Sequence, residues 1–391
     1  MARTPRPAGK HPRGRTAGIV GAVVGLAAAG TAAGVAISRV AARRVGAEDV
    51  SPRSGLPAVS DAELREDDPL GSAARPADRT ALVQADDGVL LAVDEIGPRD
   101  APLTVVFVHG YALSMASWAF QRRTLAAELA TANGHRPDAR LVFYDQRGHG
   151  ASGRGAPENS TIEQLACDLE AVLAARAPRG PVVLVGHSMG GMTIMGLAAL
   201  RPNLFGTQVV AAALLSTSSG QLADLNFGLP DLLTRVRAAV FPVAAWTMRR
   251  RPAFAERTRR VAADLVSTVT RSLSVASADV DPALTRYVDA MIAGTPVDVI
   301  AEFYPALAGL DHTGSLEPLR RVPTLVLTGD VDKMIPKEHS ELLLERLPDA
   351  EYVVVPDAGH MLLLEKPAEV TAALSRLIRR VTAEARTTRR R

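Results

Sequence analysis

Cysteine is almost absent from this chain of 391 residues, which contains Cys167 alone. A single thiol excludes an internal disulfide framework and any zinc site built from a cluster of cysteines. Aromatic side chains are also scarce, at 8 Phe, 5 Tyr and 2 Trp, so a folded core must be built mainly from Leu, Val and Ala. With 47% hydrophobic and 22% charged residues, the composition is still that of a globular protein and excludes disorder of the whole chain.

Acidic residues are missing from both ends of the chain. Residues 1–44 hold eight bases and no acid, and residues 386–391 add four arginines and no acid. The net charge of +3 comes from these ends, because residues 45–385 hold 33 bases against 42 acids. A protein that binds nucleic acid presents a basic face on its folded body, so the acidic body argues against a nucleic-acid partner.

Charge is absent from residues 16–38, an Ala- and Gly-rich run of 23 residues that follows a basic tail at residues 1–15. As a helix this run is about 34 Å long, enough for a hydrocarbon core of about 30 Å. We therefore expect an N-terminal hydrophobic helix that anchors the protein in a membrane, with a cleaved signal peptide and a buried soluble helix as alternatives. Five bases precede the run and three follow it, which favours a cytoplasmic N-terminus and an external body, secreted if the run is cleaved.

The rest of the chain divides into regions of different pattern. Residues 39–79 lack apolar periodicity and are expected to form a polar linker. From about residue 80, short Val- and Leu-rich runs alternate with helical segments, which is typical of a three-layer α/β fold around a mostly parallel sheet. The runs lie at residues 89–94, 103–108, 140–144, 182–186, 209–215, 323–328 and 351–355, and the helical segments include 118–132, 161–176, 190–200 and 337–347.

The alternation stops at residues 217–310, which are expected to form a helical cap between two parts of the core, residues 80–216 and 311–385. Residues 386–391 are then a basic tail. Four helices are expected in the cap, near residues 229–249, 254–273, 282–293 and 296–309. Seven aromatic residues of the cap either line an apolar acyl pocket or pack the cap onto the core: Phe227, Phe241, Trp246, Phe254, Tyr287, Phe303 and Tyr304.

The strongest sign of chemistry is the sequence GHSMG at residues 186–190, which follows a predicted strand and precedes a predicted helix. A G-x-S-x-G pattern alone is weak, but a serine at a sharp strand-to-helix turn has its hydroxyl held out for nucleophilic attack. Ser188 is therefore the candidate nucleophile.

A serine hydroxyl needs a base at neutral pH, and His360 is the candidate. It lies just past the last predicted strand, at the sheet edge where ligand sites of open α/β sheets form. The base in turn needs a carboxylate to orient it. Asp330 and Asp332 both follow another predicted strand at the same edge, and either can serve.

Taken together, these pieces resemble the α/β-hydrolase superfamily over about residues 80–382. The matching pieces are His109-Gly110-Tyr111, YDQRGHGAS at residues 144–152, GHSMGG at 186–191, GDVDKMIP at 329–336 and Gly359-His360. The resemblance implies an α/β-hydrolase fold with a helical cap or lid. Haloalkane dehalogenases and epoxide hydrolases of this fold carry Asp at the nucleophile position, so Ser188 distinguishes this chain from them.

The resemblance also implies roles for particular residues. The acid loop of the family has the form G-x-x-D-x-x-x-P, which favours Asp332 over Asp330. The oxyanion hole of the family uses two backbone N–H groups, which fall here on Met189 and Tyr111. The DQRGHGAS stretch is structural in the family and is not counted as catalytic. No metal or cofactor is implied.

The expected function is that of a serine hydrolase with a Ser-His-Asp triad that cleaves carboxylic esters, lipophilic ones among them, through an acyl-enzyme intermediate. The expected partner is a small-molecule acyl substrate, and the oligomeric state stays open. Hydrolysis of thioesters, amides or carbon–carbon bonds, acyl transfer and cofactor-free perhydrolysis use the same triad and remain alternatives. A non-catalytic ligand-binding relative of the fold is the alternative from another class.

Overall fold

The computed structural model describes residues 76–131, 139–178, 180–222 and 280–389. The predictions for the basic tail, the hydrophobic helix at 16–38, nearly all of the polar linker and the two helices near 229–249 and 254–273 lie outside these residues. Within the described ranges, no helix combines the length and the apolar character that crossing a bilayer requires.

In the part of the chain that the structure describes, eight strands form one sheet in the order β1-β2-β4-β3-β5-β6-β7-β8. β1 pairs antiparallel with β2 and β2 antiparallel with β4, and every other pairing is parallel. The mostly parallel sheet is as expected. The strands are β1 (Arg79–Gln84), β2 (Leu90–Ile96), β3 (Leu103–Val108), β4 (Ala139–Tyr144), β5 (Val182–His187), β6 (Val209–Leu215), β7 (Thr324–Gly329) and β8 (Glu351–Val355).

Helices cover both faces of the sheet, so the core has three layers. Every residue of β3, β4, β5, β6 and β7 is buried except Val210, which is the reason for their continuous apolar runs. The helices are α1 (Ala119–Thr131), α2 (Ile162–Arg176), α3 (Met189–Leu200), α4 (Pro282–Gly294), α5 (Val297–Ala308), α6 (Lys337–Arg346), α7 (Leu362–Glu365) and α8 (Pro367–Arg389). α1 and α8 pack on one face of the sheet, and α2 and α3 pack on the other.

Of the eight strands in the described residues, the sequence pattern located seven. It did not indicate β1, which begins at Arg79, the last residue assigned to the linker. β1 is an edge strand in which Val83 is buried while Thr80, Leu82 and Gln84 are exposed, so it lacks the apolar run of a strand covered on both faces.

The inserted segment between β6 and β7 contributes α4 and α5, close to the helices expected at 282–293 and 296–309. The side chain of Asp281 accepts a hydrogen bond from the Ala283 N–H and Pro282 occupies the first turn, so α4 starts at a normal N-cap. This pair of helices lies over the carboxyl end of β3, where the candidate site is found.

Candidate active site

Ser188 occupies a strained turn between β5 and α3. Its backbone dihedrals are φ 54° and ψ −119°, a region that non-glycine residues rarely adopt. Two contacts from the end of β6 support the turn: the Ser188 N–H donates to the Leu215 carbonyl at 2.9 Å, and the Thr217 hydroxyl donates to the Ser188 carbonyl at 2.7 Å. The conformation turns the serine out of the strand at the carboxyl edge of the sheet.

His360 and Asp332 meet Ser188 at this edge. His360 Nε2 lies 3.0 Å from Ser188 Oγ, and His360 Nδ1 lies 2.9 Å from Asp332 Oδ2. Ser188 is 8% exposed, His360 is 4% exposed and Asp332 is 5% exposed, so the chain of hydrogen bonds is nearly closed to water. Loops after β5, β7 and β8 carry the three side chains, which lie far apart in sequence and converge in the fold.

Asp332 is held as a carboxylate. Burial raises the pKa of its carboxyl, but the facing His360 and the Ile335 N–H outweigh burial, so the pKa lies below its usual value. Asp332 Oδ1 accepts hydrogen bonds from the N–H groups of Met334 and Ile335, both at 2.9 Å. Its second oxygen, Oδ2, therefore faces the imidazole.

Asp330, the other carboxylate left open by the sequence pattern, has a different partner. Its Oδ1 accepts a hydrogen bond from the Ala358 N–H at 3.3 Å, which joins the loops after β7 and β8. Of the two acids, Asp332 is the one at hydrogen-bond distance from His360.

Met189 and Tyr111, the expected oxyanion donors, lie on the two segments that adjoin Ser188. Met189 is the first residue of α3, where an N–H has no partner within the helix. Tyr111 follows Gly110, which packs so tightly on the serine that a Cβ at Gly110 would lie 3.2 Å from Ser188 Cβ. The loop after β3 therefore lies directly against the candidate nucleophile.

Two polar contacts of the site were not found from the sequence. Thr217, described above, lies in a run of small polar residues that carries no motif. His187 donates from Nε2 to the His360 carbonyl at 2.8 Å, because a carbonyl can only accept. This bond ties the residue before the serine to the backbone of the candidate base. Both contacts join residues that lie far apart in the sequence, so only the folded structure reveals them.

The YDQRGHGAS stretch forms a buried polar network behind the site. Asp145 accepts hydrogen bonds from the N–H groups of Met115 and Ala151, both at 2.7 Å. Arg147 makes a two-pronged ion pair with Asp168, with both N–O distances at 2.6 Å. These contacts hold the loops after β3 and β4 and fit the structural role expected for the stretch.

Two aromatic residues of the inserted segment, Tyr287 and Phe303, pack on the core, and Tyr304 is half-buried. Phe303 is 1% exposed, and its ring centroid lies 5.7 Å from that of His149. Tyr287 is buried and donates its hydroxyl to the Ala116 carbonyl at 2.9 Å. Phe227, Phe241, Trp246 and Phe254 lie outside the described residues.

Buried histidines are expected to make the fold sensitive to acid. Burial lowers the pKa of His109 to about 3, of His149 to about 4 and of His187 to about 3. Below pH 6.5 the unfolded chain therefore takes up protons that the folded chain does not. Asp145 acts in the opposite direction, because burial raises its pKa to about 6 and the folded state then holds the extra proton.

These four groups together take up about two protons on unfolding between pH 6 and 4.5, so their contribution to the free energy of unfolding should fall by roughly 2–3 kcal/mol per pH unit as the pH drops through this window. Urea denaturation at pH 7.5, 6 and 5 measures it. A free energy of unfolding that stays constant or rises on acidification would contradict the buried neutral state of these imidazoles.

Comparison with known proteins gives the family. The model of the alpha/beta hydrolase family matches residues 105–374, more than half of the chain. The chain is 26% identical over 283 residues to the sn-1-specific diacylglycerol lipase ABHD11 of Mus musculus, a match that covers 71% of this chain and 81% of the lipase. It is 27% identical over 303 residues to the dihydrolipoyllysine-residue acetyltransferase component of the acetoin cleaving system of Pseudomonas putida, covering 75% of this chain and 68% of that protein.

Among solved structures, a thermophilic esterase from Thermogutta terrifontis superposes with a TM-score of 0.59 at 25% identity, covering 78% of this chain and 99% of the esterase. The chain therefore belongs to the alpha/beta hydrolase family and is a hydrolase.

Proposed function

We propose that the protein cleaves carboxylic esters through an acyl-enzyme intermediate on Ser188. The observation that carries the proposal is the continuous chain of hydrogen bonds from Ser188 Oγ through His360 to Asp332, at 3.0 and 2.9 Å. Nucleophile, base and orienting carboxylate at hydrogen-bond distance are the arrangement that activates a serine hydroxyl at neutral pH.

In the acylation half, Ser188 Oγ attacks the ester carbonyl carbon while His360 Nε2 takes the hydroxyl proton. Asp332 holds the imidazole in the tautomer with its proton on Nδ1 and stabilises the imidazolium that forms. The N–H groups of Met189 and Tyr111 stabilise the negative charge on the former carbonyl oxygen. The tetrahedral intermediate collapses, the ester C–O bond breaks, and His360 returns the proton to the leaving alcohol.

In the second half, water attacks the acyl carbon of the ester that now joins the substrate to Ser188. His360 takes a proton from the water, and the same two N–H groups bind the second oxyanion. Collapse breaks the bond to Ser188 Oγ, which recovers its proton from His360, and the carboxylic acid leaves. The residues end in their starting protonation states.

The choice of esters is supported by the relatives, which include a diacylglycerol lipase and a thermophilic esterase. A panel of p-nitrophenyl esters from acetate to palmitate, with a matched thioester and a matched amide, tests the choice. We expect the esters to have the highest kcat/KM and to show a burst of alcohol release wherever deacylation is the slower half. Turnover of the thioester or the amide well above every ester would reject it.

Acyl transfer is a second candidate, favoured by the similarity to the acetyltransferase component from Pseudomonas putida. The acyl-enzyme on Ser188 is common to both reactions, and they differ only in whether water or another nucleophile attacks it. Ester turnover with added alcohol or thiol acceptors separates them. Transferred product exceeding free acid at millimolar acceptor would favour transfer.

We also propose that residues 16–38 attach the protein to a membrane with its body outside the cytoplasm. The support is the uncharged run of 23 residues and its basic flanks. Placing arginine at Val23 and Leu26 should move the full chain out of the membrane fraction, since a central arginine costs about 2.5–3.5 kcal/mol. The control is Val59→Arg, outside the run. Unchanged sedimentation of the double variant would reject the anchor, and loss of the run from the mature protein by mass spectrometry would favour a cleaved signal.

A further inference from the structure

The turn that carries Tyr111 has a backbone conformation that its own sequence does not favour. Residues 110–113 form a turn in which the Leu113 N–H donates to the Gly110 carbonyl at 3.3 Å. Within it Ala112 has φ 57°, in the left-handed region that an alanine rarely adopts. A strained residue of this kind persists only when its surroundings hold it in place.

Both polar groups of the Ala112 backbone are held from outside the turn. Its N–H donates to His149 Nε2 at 3.2 Å, and its carbonyl accepts the hydroxyl of Thr295, also at 3.2 Å. Thr295 is 2% exposed and lies between α4 and α5. One of the two supports of the strained residue therefore comes from the inserted segment.

The same segment, Pro282–Ala308, holds the loop at two further points. Downstream, the Tyr287 hydroxyl of α4 donates to the Ala116 carbonyl at 2.9 Å. Upstream, the Tyr111 hydroxyl donates to the Ile300 carbonyl of α5. The three hydroxyl contacts span residues 111–116, which include the proposed oxyanion donor.

The segment also packs on the core by apolar contacts that involve none of these hydroxyls. A Cβ at Gly148 would lie 2.7 Å from Val299 Cγ1, so α5 sits directly on the loop after β4. Phe303 is buried against His149. Removing one hydroxyl should therefore leave the segment in place and change only how it holds the turn.

We propose that Thr295 and Tyr287 are positioning residues, which hold residues 110–116 from the inserted segment so that the Tyr111 N–H faces the oxyanion formed on Ser188. This inference rests on the proposed function. It makes the inserted segment a part of the catalytic geometry, beyond any contact that it makes with substrate. The Tyr111 N–H acts in the transition state, so its misplacement lowers kcat and leaves ground-state binding largely unchanged.

The test is Thr295→Val, which keeps the shape of the side chain and removes the hydroxyl. We expect kcat for an ester substrate to fall about tenfold, with KM within twofold of the wild-type value. Deleting an oxyanion donor lowers kcat by about 10²–10³-fold, and a donor that is present but misaligned should cause a smaller loss. The Ki of a trifluoromethyl ketone should rise by the same factor, because its adduct with Ser188 places an oxyanion in the same position. Thr295→Ser, which keeps the hydroxyl, should restore both values.

Tyr287→Phe should act in the same direction and carries the test independently if Thr295→Val fails to fold. The matched control is Thr382→Val on α8, which removes a threonine hydroxyl that donates to the Ile378 carbonyl at 2.8 Å and should leave kcat and Ki unchanged. Wild-type kcat and Ki in both Thr295→Val and Tyr287→Phe would overturn the inference, as would an equal loss in Thr295→Ser.

The outcomes separate this inference from the proposed function. If the unaltered protein forms an acyl-enzyme on Ser188 and both variants behave as wild type, only the positioning role fails. If the unaltered protein forms no adduct on Ser188 with the trifluoromethyl ketone or with an ester, the proposed function fails first.

Discussion

Replacing Ser188 with alanine is expected to lower kcat for ester hydrolysis by about 10⁵–10⁶-fold, because the variant lacks the oxygen that attacks the acyl carbon. KM should change little, since the removed hydroxyl takes part mainly in bond formation. The residual rate should come from the two oxyanion N–H groups and from substrate binding, as in triads disabled at the nucleophile. Steady-state kinetics at substrate saturation, with protein concentration determined from absorbance and folding checked by circular dichroism, measures the loss.

Ser375→Ala is the matched control for this variant. Ser375 is also a buried serine, at 5% exposed, but it lies within α8 and not in the loops that carry Ser188, Asp332 and His360. Its kcat should remain within twofold of the wild type. More than a tenth of the wild-type kcat in Ser188→Ala would show that another group performs the attack.

Replacing Asp332 with asparagine is expected to lower kcat by about 10⁴-fold at neutral pH. Asp332 Oδ1 accepts two backbone N–H groups, so in the variant the amide oxygen takes that position and the NH₂ group faces His360 Nδ1. Nδ1 must then act as an acceptor, which places the imidazole proton on Nε2. An Nε2 that already carries its proton cannot take the one from Ser188.

Asp330→Asn is the control, two residues away in the same loop. An amide oxygen can still accept the Ala358 N–H that Asp330 accepts now, so the loop should keep its shape and kcat should stay within a few-fold of wild type. The pair is compared by kcat at saturating ester over pH 6–9. A larger loss in Asp330→Asn than in Asp332→Asn would reverse the assignment.

The sequence allowed the sheet to be predicted because a parallel sheet covered on both faces demands long apolar runs. β3 and β6 match their predicted limits, at residues 103–108 and 209–215. β1 was missed because it is an edge strand with exposed Thr80 and Leu82, and its period-2 pattern is too short to distinguish it from a linker. Strand signals depend on burial, and burial is lowest at the edge.

Residues of the candidate site could be predicted where the sequence around them forms a recognisable pattern. Ser188 lies in a glycine-framed motif and His360 follows a strand, so both could be chosen as candidates from the chain alone. The choice between Asp330 and Asp332 depended on the family resemblance, because both acids follow the same strand in the same loop. Their different partners, the Ala358 N–H and the His360 imidazole, are seen only in the structure. Spatial supports such as Thr217 and Thr295 gave no signal, since each acts on a residue far away in sequence.

The central claim is that Ser188 is an activated nucleophile, and covalent labelling tests it most directly. The native protein should react with a fluorophosphonate to a stoichiometry of one, and peptide mapping by mass spectrometry should place the adduct on Ser188. Heat-denatured protein and Ser188→Ala should remain unlabelled. Native, folded protein that gains no adduct, or gains it at a different residue, would contradict the assignment of this serine.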